Sequence, residues 1–392
     1  MPVVNLDYYK QQDNYCYYVL NNLDSEIVEL LKNPENDEII KIKKPQLYYY
    51  LLSENNKNLL KWIGVNGNIL EITGGIGVNT RLLCKRAESV TTVCFSKVNA
   101  EIISSRLSDY NNLELVVGNL KDIKFDKKFN YIILSDVFEF SRVFAKNEIL
   151  FLEYLKSLLT ENGKIITVIS NKYGVGNYSG CVSHITGQAF DEINNYPKTP
   201  YLNSYTKRQL INIFKNVFEK VEFYYPLPNH YENKIILSDK SLDKAKTGDK
   251  VPNLYKHYGN NPNRLVDEYH VIKDAIYDNR FTSSVNSYLI ITKNSQSYTD
   301  DNNLPLPYYV QFDNGIMTTL TDNSCIKTAL NNEGQKILDK MCEFCKSETE
   351  RLKEQGIENI KYAQLEKQEN TYVMEFARDS FVSKNNPFSQ IL

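Results

Sequence analysis

Histidine and tryptophan are scarce in this chain, with four of the first and one of the second in 392 residues. The histidines (His184, His230, His257 and His270) fall at no spacing that a zinc motif uses, and Cys342-Glu343-Phe344-Cys345 has no second ligand pair. No bound metal is therefore expected. The seven cysteines are odd in number and scattered, which argues against a disulfide framework. No stretch approaches the roughly 18 consecutive apolar residues of a membrane-spanning helix. Met1-Pro2-Val3-Val4 does not begin a basic-then-apolar leader. Charge of one sign is also lacking. With 46 basic against 48 acidic residues, no broad positive field would gather nucleic-acid phosphates. These absences together lead to the expectation of a cytoplasmic protein with reduced thiols and a small-molecule substrate.

Composition is otherwise that of a globular protein, 42% hydrophobic and 24% charged, and the length suggests more than one domain. The 29 tyrosines are spread along the whole chain and mark no single surface. In the middle of the sequence, short apolar runs alternate with helix-like segments, the pattern of parallel strands joined by crossover helices. The expected strands are Asn68–Ile72, Val90–Phe95, Leu113–Val117, Tyr131–Ser135 and Lys164–Ser170. Thr80–Ala87, Lys97–Tyr110 and Asn147–Thr160 carry apolar positions three and four apart, and Glu161-Asn162-Gly163 reads as a helix stop. A helix over about Thr206–Phe218 and strands at Val221–Tyr225 and Val285–Thr292 follow. The last two are placed to pair antiparallel at the sheet edge.

Two segments break this rhythm, 171–204 and 226–284, and both exceed the usual connection in such folds. They are candidate walls for the crevice at the carboxyl ends of the strands. The polar run Asn294–Asn303 reads as a linker. Beyond it, strands at Tyr308–Phe312, Gly315–Leu320, Ile360–Leu365 and Tyr372–Phe376 surround a helix over about 333–355. That helix would bury Leu338, Met341, Cys342 and Cys345. The order vaguely resembles a kinase small lobe without its glycine-rich loop, so a docking or oligomerisation module is expected.

The first strand ends in Glu71-Ile72-Thr73-Gly74-Gly75-Ile76-Gly77-Val78-Asn79-Thr80 and runs straight into a helix. Glycines at such a turn let the backbone approach a ligand and aim a helix N-terminus at it. There is no P-loop lysine, and Gly75 and Gly77 are followed by Thr80, which breaks the dinucleotide G-x-G-x-x-G spacing. Phosphoryl and hydride transfer therefore fall behind.

Turn and element order together resemble the class I S-adenosylmethionine-dependent methyltransferases, whose pattern is strand, E/D-x-G-x-G-x-G, helix. Further stretches are similar to a bacterial subgroup associated with cell-surface glycan synthesis. They include Tyr50-Leu51-Leu52-Ser53, Asp136-Val137-Phe138-Glu139-Phe140, Asn171-Lys172-Tyr173-Gly174, His184-Ile185-Thr186-Gly187, Asn195-Tyr196-Pro197 and Ser284-Val285-Asn286-Ser287-Tyr288. The likeness covers about 45–292. It implies a doubly wound α/β (Rossmann-like) sheet, mostly parallel with an antiparallel edge strand. The implied layout is a helical region at 1–62, a methyltransferase domain at 63–293 with insertions 171–204 and 226–284, and a small α+β domain at 304–392.

The implied cofactor is S-adenosyl-L-methionine, held by Glu71, Thr73, Gly75, Gly77, Cys94, Asn119 and Ser135. Cys94 stands where the family carries a ribose-binding acid, and Thr73 replaces the first loop glycine. A lost charge-assisted hydrogen bond of roughly 1.5–3 kcal/mol would weaken the cofactor about tenfold to a hundredfold. His184 and Glu139 are the candidate bases, since transfer to a hydroxyl or ammonium requires loss of a proton. Tyr173, Tyr178, Asp191 and Asn286 are candidate acceptor contacts. Methyl transfer to an oxygen or nitrogen of a sugar or sugar-linked precursor is the leading expectation. A weakened methyltransferase-like scaffold in a glycan-assembly complex is the alternative. The C-terminal region would then serve homo-oligomerisation or a glycan-synthesis partner.

Overall fold

The computed structural model describes residues 1–10, 20, 23–53, 55–73, 75–244, 266–293, 306–322, 324–356, 365–368 and 371–375. Gly74, His257, the linker at 294–303, residues 360–364 of the strand expected over Ile360–Leu365, and Phe376 lie outside them. The chain divides into two compact units, Met1–Asn302 and Asn303–Leu392.

The strands of the first unit are β1 (Val3–Asn5), β2 (Asn68–Thr73), β3 (Ser89–Cys94), β4 (Leu113–Val117), β5 (Phe129–Ser135), β6 (Leu159–Ser170), β7 (Lys220–Leu227), β8 (Ile235–Ser238) and β9 (Ser287–Lys293). They lie in the order β1-β4-β3-β2-β5-β6-β9-β7-β8. Strands β1 to β6 run parallel, and β9 is antiparallel to both β6 and β7. This is the doubly wound sheet with an antiparallel strand near its edge that the sequence pattern predicts. The near-continuous burial of β2, β3 and β5 is what a parallel strand covered on both faces requires.

The helices are α1 (Ser25–Lys32), α2 (Asp37–Lys43), α3 (Pro45–Leu51), α4 (Thr80–Arg86), α5 (Lys97–Arg106), α6 (Ser141–Phe144), α7 (Glu148–Leu158), α8 (Val175–Tyr178), α9 (Lys207–Lys215), α10 (Asp239–Lys244), α11 (Glu268–Tyr277) and α12 (Phe281–Ser284). Local chemistry sets several starts. Asp24 and Asn147 cap α1 and α7, and Thr206 with Gln209 forms a reciprocal capping box on α9.

Two elements differ from the sequence expectation. Glu161-Asn162-Gly163 does not stop a helix. Helix α7 ends at Leu158, and these residues extend β6. A Cβ at Gly163 would lie 2.8 Å from the Leu159 Cβ and 3.0 Å from the Phe129 carbonyl, beside a register shift in the β5–β6 pair. The glycine therefore serves close approach and not a cap. The N-terminal region also holds β1, a three-residue strand too short to show a period, which gains its hydrogen bonds only by pairing with β4.

The second unit holds β10 (Tyr309–Asp313), β11 (Ile316–Leu320), β12 (Ser324–Ala329), α13 (Asn332–Glu354), β13 (Leu365–Gln368) and β14 (Thr371–Glu375). Its strands are antiparallel in the order β10-β11-β12-β14-β13. Strand β12 was not expected, because Ser-Cys-Ile-Lys-Thr-Ala is short and mixed in polarity. Leu338 and Cys342 of α13 are buried with Tyr372. Met341, expected in that stripe, is 36% exposed. Among the described residues no helix is long and apolar enough to cross a membrane.

Candidate active site

The turn after β2 is built by its own side chains. The Thr73 hydroxyl accepts from the Gly75 N–H at 3.1 Å, so the residue in place of the first loop glycine fixes the turn. Gly77 has φ +69°, and a Cβ there would lie 2.3 Å from Thr80 Oγ1. That hydroxyl is already committed, since Thr80 donates to Glu71 Oε2 at 2.5 Å while Thr92 donates to the same oxygen at 3.0 Å. Burial pushes the Glu71 carboxyl up to about 7 against these two hydrogen bonds. Glycine, threonine and carboxylate thus lock loop, helix α4 and strand β3 together.

A cleft of about 380 Å³ opens at this turn, lined by Glu71, Thr73, Gly75, Val78, Asn79, Ser135 and Asp136, with Tyr50, Asn56, Leu59, Val168, His230 and Tyr231 on its other sides. Of the residues implied as cofactor contacts, Glu71, Thr73, Gly75 and Ser135 line it. Gly77 lies in the same turn but off the lining. Cys94 and Asn119 are fully buried and also off it. Burial holds the Cys94 thiol well above the ordinary range, so it stays protonated. At Gly118 a Cβ would lie 2.5 Å from the Tyr8 carbonyl, so the N-terminal segment backs the turn beside Asn119.

A second cleft of about 380 Å³ adjoins the first and shares Tyr50, His230 and Tyr231 with it. Its remaining lining comes from both insertions, the end of β6 and the residue before β9, and includes Ser170, Asn177, His184, Glu192, Asn229 and Asn286. The first insertion is held in place by its own apolar cluster, Ile185, Tyr196 and Leu202 against Phe140. Asn286 accepts from the Gly176 N–H at 2.8 Å and donates to the Pro228 carbonyl at 3.2 Å, tying the insertions to each other. Tyr173 and Tyr178 are 44% and 48% exposed and line neither cleft, and Asp191 accepts from the Thr186 hydroxyl. Of the four expected acceptor contacts, only Asn286 is on a wall.

Where the clefts meet lies a buried polar cluster. Strand β5 stops at Asp136 in a left-handed conformation, φ 52°, which an aspartate tolerates better than a branched residue. Asp136 Oδ2 accepts from the Tyr231 hydroxyl at 3.0 Å and faces His230 Nε2 at 3.1 Å. Burial would raise this carboxyl, but His230, His184 and the hydrogen bonds from His230 and Tyr231 outweigh it and hold it below the ordinary value. His184 Nε2 lies 3.8 Å from Asp136 Oδ1, and its Nδ1 lies 3.8 Å from Glu192 Oε1. Burial lowers His184 to about 4, leaving a neutral imidazole at neutral pH. Glu139 is pushed well above the carboxylate range, first by burial and then by Asp136 nearby. Glu192 rises to about 7, mainly through burial, although Asn177 donates to it at 3.0 Å.

The sequence reading placed His184 and Glu139 here but missed His230, Tyr231, Tyr50 and Glu192. His230 follows Pro228-Asn229 in a long insertion, and nothing local distinguishes it from a loop histidine. Asp136 had a signal, an acid directly after a strand carboxyl end.

Residues 70–167, from β2 to β6, match the methyltransferase domain family. The chain carries a methyltransferase domain. No curated protein matches the chain. Among solved structures, an S-adenosylmethionine-dependent methyltransferase from Thermotoga maritima is similar at a TM-score of 0.40 and 13% identity, over 69% of this chain and 100% of that one. Phosphoethanolamine N-methyltransferase 1 of Haemonchus contortus is similar at 0.41 and 12%, over 72% and 52%. The N-methyltransferase NodS of Bradyrhizobium japonicum is similar at 0.32 and 12%, over 46% and 87%. Likenesses this distant say nothing of the acceptor. The cofactor of a methyltransferase domain of this kind is S-adenosylmethionine.

Proposed function

We propose that this methyltransferase methylates an oxygen or nitrogen of a sugar or sugar-linked glycan precursor, with the cofactor in the cleft at the β2 turn and the acceptor in the adjoining one. The observation that carries this reading is the shared wall: Tyr50, His230 and Tyr231 border both clefts, so two molecules bound there meet at the buried acid and histidines. Ser135 and Asn79 offer polar groups to the cofactor. The Asn79 Oδ1 is buried without a hydrogen-bond partner among the described residues, an unmet acceptor on the cleft wall. Bound there, S-adenosylmethionine supplies an activated methyl group.

The residues of the chain supply alignment and a proton acceptor. His230 is the better placed of the two histidines, because Asp136 holds its Nε2 and thereby leaves Nδ1 as the basic nitrogen. His230 takes the proton that an acceptor hydroxyl loses as its bond to carbon forms, or that an acceptor ammonium loses before its nitrogen can attack. His184 and Glu139 complete the polar floor. A wall with the amides of Asn177, Asn229 and Asn286 and the carboxyl of Glu192 suits a polyhydroxylated or amino-bearing acceptor.

The scaffold reading keeps one observation in its favour, since Cys94 is buried and provides no acid for a ribose. Calorimetric titration with S-adenosylmethionine and S-adenosylhomocysteine separates the two readings, with Gly75→Arg as control. Micromolar binding lost in the control, followed by S-adenosylhomocysteine release with amino-sugar or sugar acceptors, is the expected result. Binding without release across sugar acceptors would sink the glycan assignment, and no binding at millimolar ligand would favour the scaffold.

A further inference from the structure

Asp136, Glu139 and His184 come from three separate stretches of chain, yet each offers one ligand atom within 4.8 Å of the other two, and all three are buried. Around a single ion at about 2.1 Å, ligand atoms stand roughly 3.0–4.3 Å apart, so closing the observed set needs shifts of about half an ångström. Neither oxygen of Glu139 has a hydrogen-bond partner of ordinary geometry among the described residues, although the backbone amides of Glu139 and Ser170 lie near it. No lysine or arginine pairs with Glu139 or Glu192 among the described residues. A carboxyl buried to 1% exposure beside another carboxylate stays neutral unless a cation is shared between them, and a bound cation would supply that charge.

The groups behind the three point the same way. His184 turns Nε2 toward Asp136 and Nδ1 toward Glu192, which matches the carboxylate–histidine–metal arrangement that fixes a ligating imidazole. Asp136 Oδ2 accepts from Tyr231, His230 Nε2 lies against both of its oxygens at 3.1 and 3.0 Å, and Oδ1 lies 3.8 Å from His184 Nε2. We infer that Asp136, Glu139 and His184 form a binding site for one divalent first-row cation at the junction of the two clefts. One imidazole and two carboxylates favour Mn²⁺ or Zn²⁺ over Mg²⁺, which prefers oxygen alone. Two carboxylates balance the ion's charge inside the protein. From this position the ion would hold an acceptor hydroxyl and make it easier to deprotonate. Binding of the ion does not depend on the acceptor's identity.

The test uses the full chain, stripped with a chelator and titrated calorimetrically with Mn²⁺ and, separately, Zn²⁺. One equivalent is expected to bind, with Glu139→Gln and His184→Gln each weakening it at least about tenfold. Neither residue lines the cofactor cleft, so S-adenosylhomocysteine affinity within about threefold of the parent verifies the fold of each variant. If a variant fails that control, electron spin-echo spectroscopy of Mn²⁺ on the parent chain decides, with a nitrogen coupling from imidazole expected. No binding at millimolar metal, binding unchanged in folded variants, or bound Mn²⁺ without nitrogen coupling would each overturn the site. A chain that binds metal but shows no transfer would leave the site standing and count against the acceptor assignment alone.

Discussion

The two halves of the site are made in opposite ways. The half proposed for the cofactor is local: Glu71, Thr73, Gly75, Gly77 and Thr80 lie within ten residues, and their mutual contacts build the turn. The half proposed for the acceptor is assembled from distant chain, with Asp136 and His230 separated by 94 positions and Tyr50 arriving from α3. A local turn can be recognised from residue types and spacing, because its geometry is fixed by near neighbours. A cluster closed by insertions has no such spacing, and its chemistry depends on burial that only packing creates.

The comparison is sharpened most by His230→Gln. If the acceptor half supplies the proton acceptor, kcat should fall by about 10²–10⁴ while S-adenosylmethionine affinity stays within about threefold. Steady-state kinetics and calorimetry on the same preparation check this. An equal loss of both would show that the halves are one structural unit.

Glu71→Gln sets the local half against pH. The folded-state Glu71 carboxyl lies near 7, above its unfolded value, so its contribution is fully present below the unfolded value and is lost as pH rises through about 7. Glutamine imitates the neutral acid at every pH. The melting temperature of the variant should therefore gain on the parent by several degrees between pH 5 and 8. A constant difference across that window would mean that Glu71 is ionised throughout.

The smallest effect is expected from removing 303–392. Both clefts are lined entirely by residues of the first unit, so S-adenosylmethionine affinity should change by less than about threefold, while sedimentation velocity reports any change in association. Unchanged size in solution would count against a docking role for the second unit.

Legibility in the sequence followed the same division. Strands β2 to β6 and β9 are visible as apolar runs because both faces of a central strand are buried, and Thr206 with Gln209 announces α9. Short strands β1, β8 and β12 are not, since pairing and not hydrophobicity makes them strands. Gly163 misled because a glycine after a helix-like run normally signals a cap, whereas here it admits a close backbone. His184 and Glu139 were found through a resemblance, but His230 and Glu192 carried no mark of their own.

By itself the sequence determined the wound sheet and the glycine turn at the head of α4, because periodicity and backbone freedom act over neighbouring residues, while the class of chemistry came from a family resemblance. Tertiary structure alone decided that Asp136, Glu139, His184, Glu192 and His230 share one buried junction. Only there, away from water, do their charges and protons depend on one another.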